Sequence, residues 1–283
     1  MKNFKVIQKV NFLSESTEKQ NLLLMLCNKI TSYMTAHGYV EAANSDKRID
    51  YVFSVGGDGT MLHSMNQNIN KNPVVIGINA GNVGFLTPFN INDVLDESIF
   101  QFLKDDATPR IEKRSILKHT LTQNGKIKRG VAVNDYAITA QGTNDMMEFS
   151  LEVENRGIIS RAGHYRANGF VLSGPCGSTA YNMNAGGAIV DPSMRCMQLI
   201  MIAPTTLGAR PLVFGKNTTI HIRFKSKSKI YMDGMPHAEL NGGDTEVMSV
   251  SLMKKEALVL LPDDWNFYSV LSTKLHWNNG RGV

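Results

Sequence analysis

The sequence predicts an α/β domain built on a parallel sheet, followed by an all-β domain. Three observations carry this. Short apolar runs alternate with helical patterns through the first hundred residues. Glycine-rich sequence closes the first two buried runs, Tyr51–Val55 and Val74–Ile78. Beyond about Arg110 helical periodicity fades, and short β-branched runs separated by glycine or polar turns take over.

Each element has its own signal. Phe4–Val10 reads as an opening strand. Ser16 or Thr17 caps a helix that runs to about His37, where Gly38 is a stop signal. Leu22, Met25, Leu26, Ile30 and Met34 recur at helical spacing along it and predict its buried face. A helix follows Tyr51–Val55 from Thr60 through Met65, and Ile91–Lys104 reads as another. The later strands are Leu117–Leu121, Gly130–Val133, Phe149–Val153, Phe170–Ser173, Thr219–Phe224 and Glu246–Leu252. One helix, near Thr179–Ala188, interrupts them, and Trp265–Trp277 forms the last. The expected organisation is an α/β domain over 1–112, an all-β domain over 113–261, and a helical tail over 262–283 that packs back on the first domain.

At 283 residues, with 42% hydrophobic and 19% charged residues, the composition is that of an ordinary globular protein. The three cysteines form no C-x-x-C pair and no even disulfide framework, which fits a reducing cytoplasm. The N-terminus lacks the apolar core of a signal peptide, and no apolar run approaches the ~18 residues that span a bilayer, so no membrane association is expected. The net charge of +5 is spread along the chain and favours anionic ligands such as nucleotides. No reading helix and no aromatic-basic interleaving points to nucleic acid. The seven histidines form no ligand set with metal spacing, so no protein-only metal site is expected.

The strongest chemical signal is Gly56-Gly57-Asp58-Gly59-Thr60, directly after a buried strand. Glycines let backbone N–H groups approach a ligand closely, and a loop that opens a helix offers those groups to phosphate oxygens. A carboxylate among such donors would repel phosphate. It makes sense if Asp58 faces a hydroxyl that must lose a proton, or a Mg²⁺ ion; the plainer reading is a tight turn with Asp58 as a helix cap. The loop matches neither the G-x-x-x-x-G-K-[ST] nor the G-x-G-x-x-G pattern. A second signal is Gly177-Ser178-Thr179-Ala180-Tyr181, which combines a turn glycine, two hydroxyls and an aromatic ring.

Gly56-Gly57-Asp58-Gly59-Thr60 resembles the signature of NAD kinases, shared more loosely with diacylglycerol and sphingosine kinases and phosphofructokinases. Gly177–Tyr181 is similar to the second NAD kinase motif. Asn79-Ala80-Gly81-Asn82-Val83-Gly84-Phe85-Leu86-Thr87, Glu112-Lys113-Arg114, Arg210-Pro211-Leu212-Val213 and Leu275-His276-Trp277 continue the resemblance in order along the chain. It departs at Asn134-Asp135, where the family usually has Asn-Glu, at Asn168, where it has Asp, and at Cys176, where it has Thr or Ser.

The resemblance implies the two-domain architecture of NAD kinases, with a nucleotide cleft between the domains, and transfer of a phosphoryl group from ATP or polyphosphate to the adenosine 2′-hydroxyl of NAD. It implies Asp58 as general base or orienting group, and the amides of Gly57 and Gly59 on donor phosphates with Mg²⁺ sharing their charge. Asn134, Asp135 and Asn168 would meet polar groups of the dinucleotide. Thr179, Ala180 and Tyr181 would form an adenine and ribose wall, Phe85 would add apolar contact, and Arg166 would approach the new 2′-phosphate. A cytoplasmic homodimer or homotetramer is implied, and NAD and NADH both stand as acceptors. A lipid kinase with the same loop, and a non-catalytic dinucleotide sensor favoured by Asn168, are the competing functions.

Overall fold

The computed structural model describes residues 2–9, 15–43, 45–81, 84–104, 106–142, 145–243 and 245–276. Val10, Asn82, Val83 and Trp277, all used in the sequence expectations, lie outside the described residues. Two compact units emerge. One joins 1–113 to 257–283, and the other is 114–256.

The first unit opens with β1 (Asn3–Gln8), α1 (Thr17–Ala36), β2 (Val40–Glu41), β3 (Tyr51–Gly56), α2 (Asp58–Asn68), β4 (Val74–Asn79), β5 (Phe89–Asn90), α3 (Ile91–Leu95) and β6 (Arg110–Arg114). Ser16 caps α1 through its side chain, and His37 and Gly38, the latter at φ +80°, close it. Its buried face is Leu23, Leu26, Ile30 and Met34. Met25, expected on that face, is 44% exposed, and Leu22 is only partly buried. Leu23 takes the inward position because the run Leu22–Leu26 contains more apolar residues than one face can hold.

The helix expected over Ile91–Lys104 breaks in two. Asn90 and Asp93 form a capping box that starts α3. Glu97 then adopts φ +66°, and a 3₁₀ helix, Ser98–Leu103, follows. The break lets Phe100 enter the core, where its ring stacks on Tyr33 at 3.8 Å between centroids.

The second unit contains β7 (Leu117–Gln123), β8 (Lys126–Ala132), β9 (Asp135–Ala140), β10 (Met147–Asn155), β11 (Ile158–Ala167), β12 (Gly169–Ser173), α4 (Tyr181–Asn184), β13 (Cys196–Ile202), β14 (Leu212–Gly215), β15 (Thr218–Phe224), β16 (Ser228–Met232), β17 (Met235–Leu240) and β18 (Val247–Leu252). They form two antiparallel six-stranded sheets, ordered β11-β10-β15-β18-β7-β8 and β14-β13-β12-β9-β16-β17. Residues from both sheets, among them Leu121, Phe149, Ile222, Phe170, Leu199 and Ile230, share one buried cluster. Sheet packs on sheet over alternating inward positions. The helix expected near Thr179–Ala188 is a 3₁₀ turn, Cys176–Thr179, followed by the single turn of α4.

The chain then returns to the first unit with β19 (Ala257–Leu261) and α5 (Phe267–Leu275). β19 pairs with β4 in parallel, which completes a sheet ordered β2-β1-β3-β4-β19-β6, with β5 alongside β4. The expected β domain over 113–261 therefore ends early. Ala257–Leu261 is a strand of the first unit's sheet, because its apolar run suits a parallel strand buried on both faces.

Within the second unit, His119 on β7 and His237 on β17 bring their Nε2 atoms to 3.0 Å. One ring must donate and the other accept, so both cannot be protonated. Burial, then the charges of His237 and Lys128, push His119 down to about 4 from its ordinary 6.5, and burial lowers His237 as well. The unfolded chain thus binds protons below pH 6.5 that the folded chain refuses, and stability falls as pH drops from 6.5 toward 4. The unfolding midpoint should fall by roughly 5 °C or more over that range, and by less in His119→Gln. Parallel thermal melts of the two proteins check this.

Candidate active site

In the first unit, β3 ends at Gly56 and α2 begins at Asp58, with Gly57 as its N-cap residue. Asp58 is thus not the cap but the first residue of the helix. Its Oδ2 accepts from the Phe85 amide at 2.8 Å, and its Oδ1 from the Leu86 amide at 3.0 Å and the Thr87 hydroxyl at 3.3 Å. The carboxylate faces the loop after β4 and orders it. Gly84 is required there, since a Cβ would stand 2.1 Å from the Asp58 Oδ1. At Gly57 and Gly59, by contrast, a Cβ would meet nothing within 4 Å. Packing does not demand glycine at these two positions, which leaves open space over the helix N-terminus, where backbone N–H groups and the helix dipole favour an anion. Phe85 is half-buried, and the Lys274 ammonium from α5 sits 4.7 Å above its ring.

In the second unit a cavity of about 530 Å³ opens at the start of β9. Among the expected residues, Asn134, Asp135, Ala180 and Tyr181 line it. Ala137, Thr139, Tyr231, Asp233 and Gly234 line it as well and were not anticipated. The signal for the last two was present. Asp233-Gly234 is an Asp-Gly pair between two runs, and both residues take positive φ, 49° and 79°, as a two-residue hairpin turn between β16 and β17 requires. The turn reaches β9. The Asp233 carboxylate accepts from the amides of Val133, Asn134 and Asp135 at 3.0, 2.7 and 3.2 Å, and the Asp233 amide donates to the Asp135 carbonyl at 3.0 Å.

The Gly177–Tyr181 segment leans on the same place. The Asn134 carbonyl would lie 2.3 Å from a Cβ on Gly177, so only glycine permits the approach. Ser178, expected to offer its hydroxyl to a ligand, is buried and bonds both ways with Val190. The Thr179 hydroxyl turns to the Cys176 carbonyl at 3.5 Å, and Thr179 does not line the cavity. Asn168 donates from its side chain to the Asp145 carbonyl at 2.9 Å, and Arg166 is exposed on the edge strand β11. Neither lines the cavity.

Comparisons with known proteins bear on the family and the fold. Residues 8–107 match the model of the ATP-NAD kinase N-terminal domain and residues 133–260 that of the ATP-NAD kinase C-terminal domain. An NAD kinase of Buchnera aphidicola subsp. Baizongia pistaciae is 34% identical over 241 residues, covering 83% of this chain and 80% of its own. One from Pseudomonas entomophila is 30% identical over 284 residues, covering 98% and 93%. The chain belongs to the NAD kinase family. Its fold is also that of a yeast NADH kinase solved with NADH, at a TM-score of 0.83 and 19% identity, covering 100% of this chain and 89% of that one. The Archaeoglobus fulgidus NAD kinase solved with ATP superposes at 0.72 with 20% identity, covering 95% and 97%.

Asp135 is 5% exposed. Burial, and then the charge of Asp233, push its carboxyl up from 3.8 to about 7. Between those values the unfolded chain ionises while the folded chain resists, so this residue costs stability as pH rises from 3.8 to about 7 and by a constant amount above it. Asp135→Asn removes the cost. The variant should melt roughly 5 °C above the parent protein at pH 8, with the gap closing toward pH 4, as calorimetry across that range would show.

Proposed function

We propose that this chain is an NAD kinase that transfers a phosphoryl group from ATP, or from polyphosphate, to the adenosine 2′-hydroxyl of NAD, giving NADP. The observation that carries the reading is the loop around Asp58: a carboxylate fixed by three hydrogen bonds beside an open, glycine-lined helix N-terminus, in a member of the NAD kinase family. Asp58 receives the acceptor hydroxyl and takes or orients its proton. Proton loss is late in a loose phosphoryl transfer, so a well-placed acceptor matters more than a strong base. The amides at the start of α2 hold donor phosphates, and Phe85 adds an apolar wall. Asn134, Asp135, Ala180 and Tyr181 hold other parts of the dinucleotide. Thr179, Asn168 and Arg166 contribute through the backbone and neighbouring packing rather than by lining the cavity.

Among the described residues no three His, Cys, Asp or Glu side chains gather to hold a metal ion. A divalent cation would come with the donor, neutralising its phosphate oxygens. Among the described residues no helix is long and apolar enough to cross a membrane. The free cysteines Cys27, Cys176 and Cys196 support a cytoplasmic setting, and exposed Ile158, Ile159 and Val213 in the second unit support self-association as a homo-oligomer.

Purified protein given NAD, ATP and Mg²⁺ should form NADP, read by a coupled NADP-specific dehydrogenase; no NADP with any donor would end the reading. Asp58→Asn should lower turnover ~10²-fold or more while NAD affinity by calorimetry stays within a few-fold. The exchange also sets an N–H₂ against the loop amides, so the melting temperature should fall by a few degrees. Near-normal turnover would remove Asp58 from the chemistry.

A further inference from the structure

A triphosphate or polyphosphate tail brings several negative charges to a site where Asp58 already sets a carboxylate. The N-terminus of α2 answers with about half an elementary charge. The rest must come from a metal ion or from cationic side chains. Two lysines of the first unit stand where they can supply it.

Lys19 reaches the start of the loop that follows β4. Asn79, the last residue of β4, pairs in register with Gly56, and the Ala80 amide donates to the Gly56 carbonyl at 2.9 Å. The loop therefore leaves the sheet beside Gly57. Lys19, in the first turn of α1, sets its ammonium 3.7 Å from where a Cβ on Gly81 would stand. Glu15 holds that ammonium at 3.2 Å and also binds Lys9. One carboxylate is thus shared by two ammonium groups, and the cluster keeps positive charge in excess. It lies at the carboxyl ends of the parallel strands β1, β3 and β4, and β1 has β2 on one side and β3 on the other. Such a reversal of strand order is where an open parallel sheet leaves a crevice for a ligand.

Lys274 reaches a point further along the same loop. The Phe85 amide donates to Asp58 Oδ2 at 2.8 Å, and the Lys274 ammonium, from the last turn of α5, lies 4.7 Å above the Phe85 ring. Among the described residues that ammonium has no carboxylate partner. The ring attracts the charge without neutralising it. Helices far apart in sequence, α1 and α5, thus bring cations to the one loop that Asp58 orders.

We infer that Lys19 and Lys274 bind the phosphoryl donor through the oxygens of its phosphate tail, alongside the amides at the start of α2. The inference rests on the kinase reading for the use made of that donor. The chemistry recognised is a linear chain of phosphates, with or without a nucleoside.

The test is calorimetric titration with tripolyphosphate and with ATP, both without Mg²⁺, so that only the protein's own cations answer the charge. Lys19→Gln and Lys274→Gln should each weaken both ligands roughly tenfold, the effect of one close charge contact. The double variant should be weaker still. Lys19→Arg and Lys274→Arg should stay within a few-fold of the parent protein. NAD affinity should hold throughout, and the variants should melt close to the parent protein, because exposed ion pairs contribute little. Tighter binding of ATP than of tripolyphosphate identifies the nucleoside triphosphate as the source, and equal affinities identify the bare chain. No binding of either ligand to the parent protein, or equal affinity in the parent protein and the double variant, overturns the inference. Failure to form NADP with any donor would end the kinase reading and leave these affinities to decide the inference alone.

Discussion

The Asp233 carboxylate accepts from three successive backbone amides, those of Val133, Asn134 and Asp135, and the second unit's cavity depends on that grip. A hairpin turn would otherwise stand at the end of an edge pair, free to splay. Here its carboxylate replaces the partners that the start of β9 lacks. Several consequences follow from one contact. The backbone of Asn134 is fixed, so its carbonyl can accept from the Gly174 amide and leave room only for glycine at 177. Asp135 is held with its side chain toward the cavity. The negative charge that secures the turn also raises the cost of ionising Asp135 beside it.

The first unit uses the same device. Asp58 binds the amides of Phe85 and Leu86 and the hydroxyl of Thr87, and this brings a loop from the end of β4 against the start of α2. In both places a short acidic side chain organises backbone donors, and in both the organised segment borders open space. The two carboxylates differ in what surrounds them. Asp58 sits at a helix N-terminus, where a negative charge is favoured. Asp233 sits beside a second acid, where it is not.

Much of this was legible in the sequence wherever the pattern was local. The Ser16 cap, the stop at His37-Gly38 and the strands closing at Gly56 and Asn79 follow from residues within one turn of each boundary. Fully buried strands such as β12 announce themselves by composition. Some strands that escaped notice, β9 and β13, are buried inside their sheet, and others are polar or lie at edges. β11 is Ile-Ile-Ser-Arg-Ala-Gly-His-Tyr-Arg-Ala, largely exposed, and β17 contains Pro236, tolerable only on an outer strand such as this one. The split between α3 and the 3₁₀ helix was hidden for another reason. It is set by where Phe100 finds a stacking partner in Tyr33, a tertiary condition that no local period records. Of the candidate site, the glycine motifs were readable. The part played by Asp233 was not, since its value lies in amides a hundred residues away.

The departure at Asn168 fits this picture once its side chain is followed. Its amide nitrogen donates to the Asp145 carbonyl at 2.9 Å, while its own backbone bridges Ile202 and Ala140. An aspartate in the same rotamer would set a carboxylate against that carbonyl, a repulsive pair that would turn the side chain elsewhere. Asparagine therefore trades a charge for an anchor on the segment before β10. The negative charge of the cavity lining comes from Asp135 and Asp233, and Asp233 is already occupied by backbone donors. Asp135 is 5% exposed, and burial is the larger of the two influences that resist its ionisation. Asp135 is therefore the lining carboxyl whose charge the protein does least to balance.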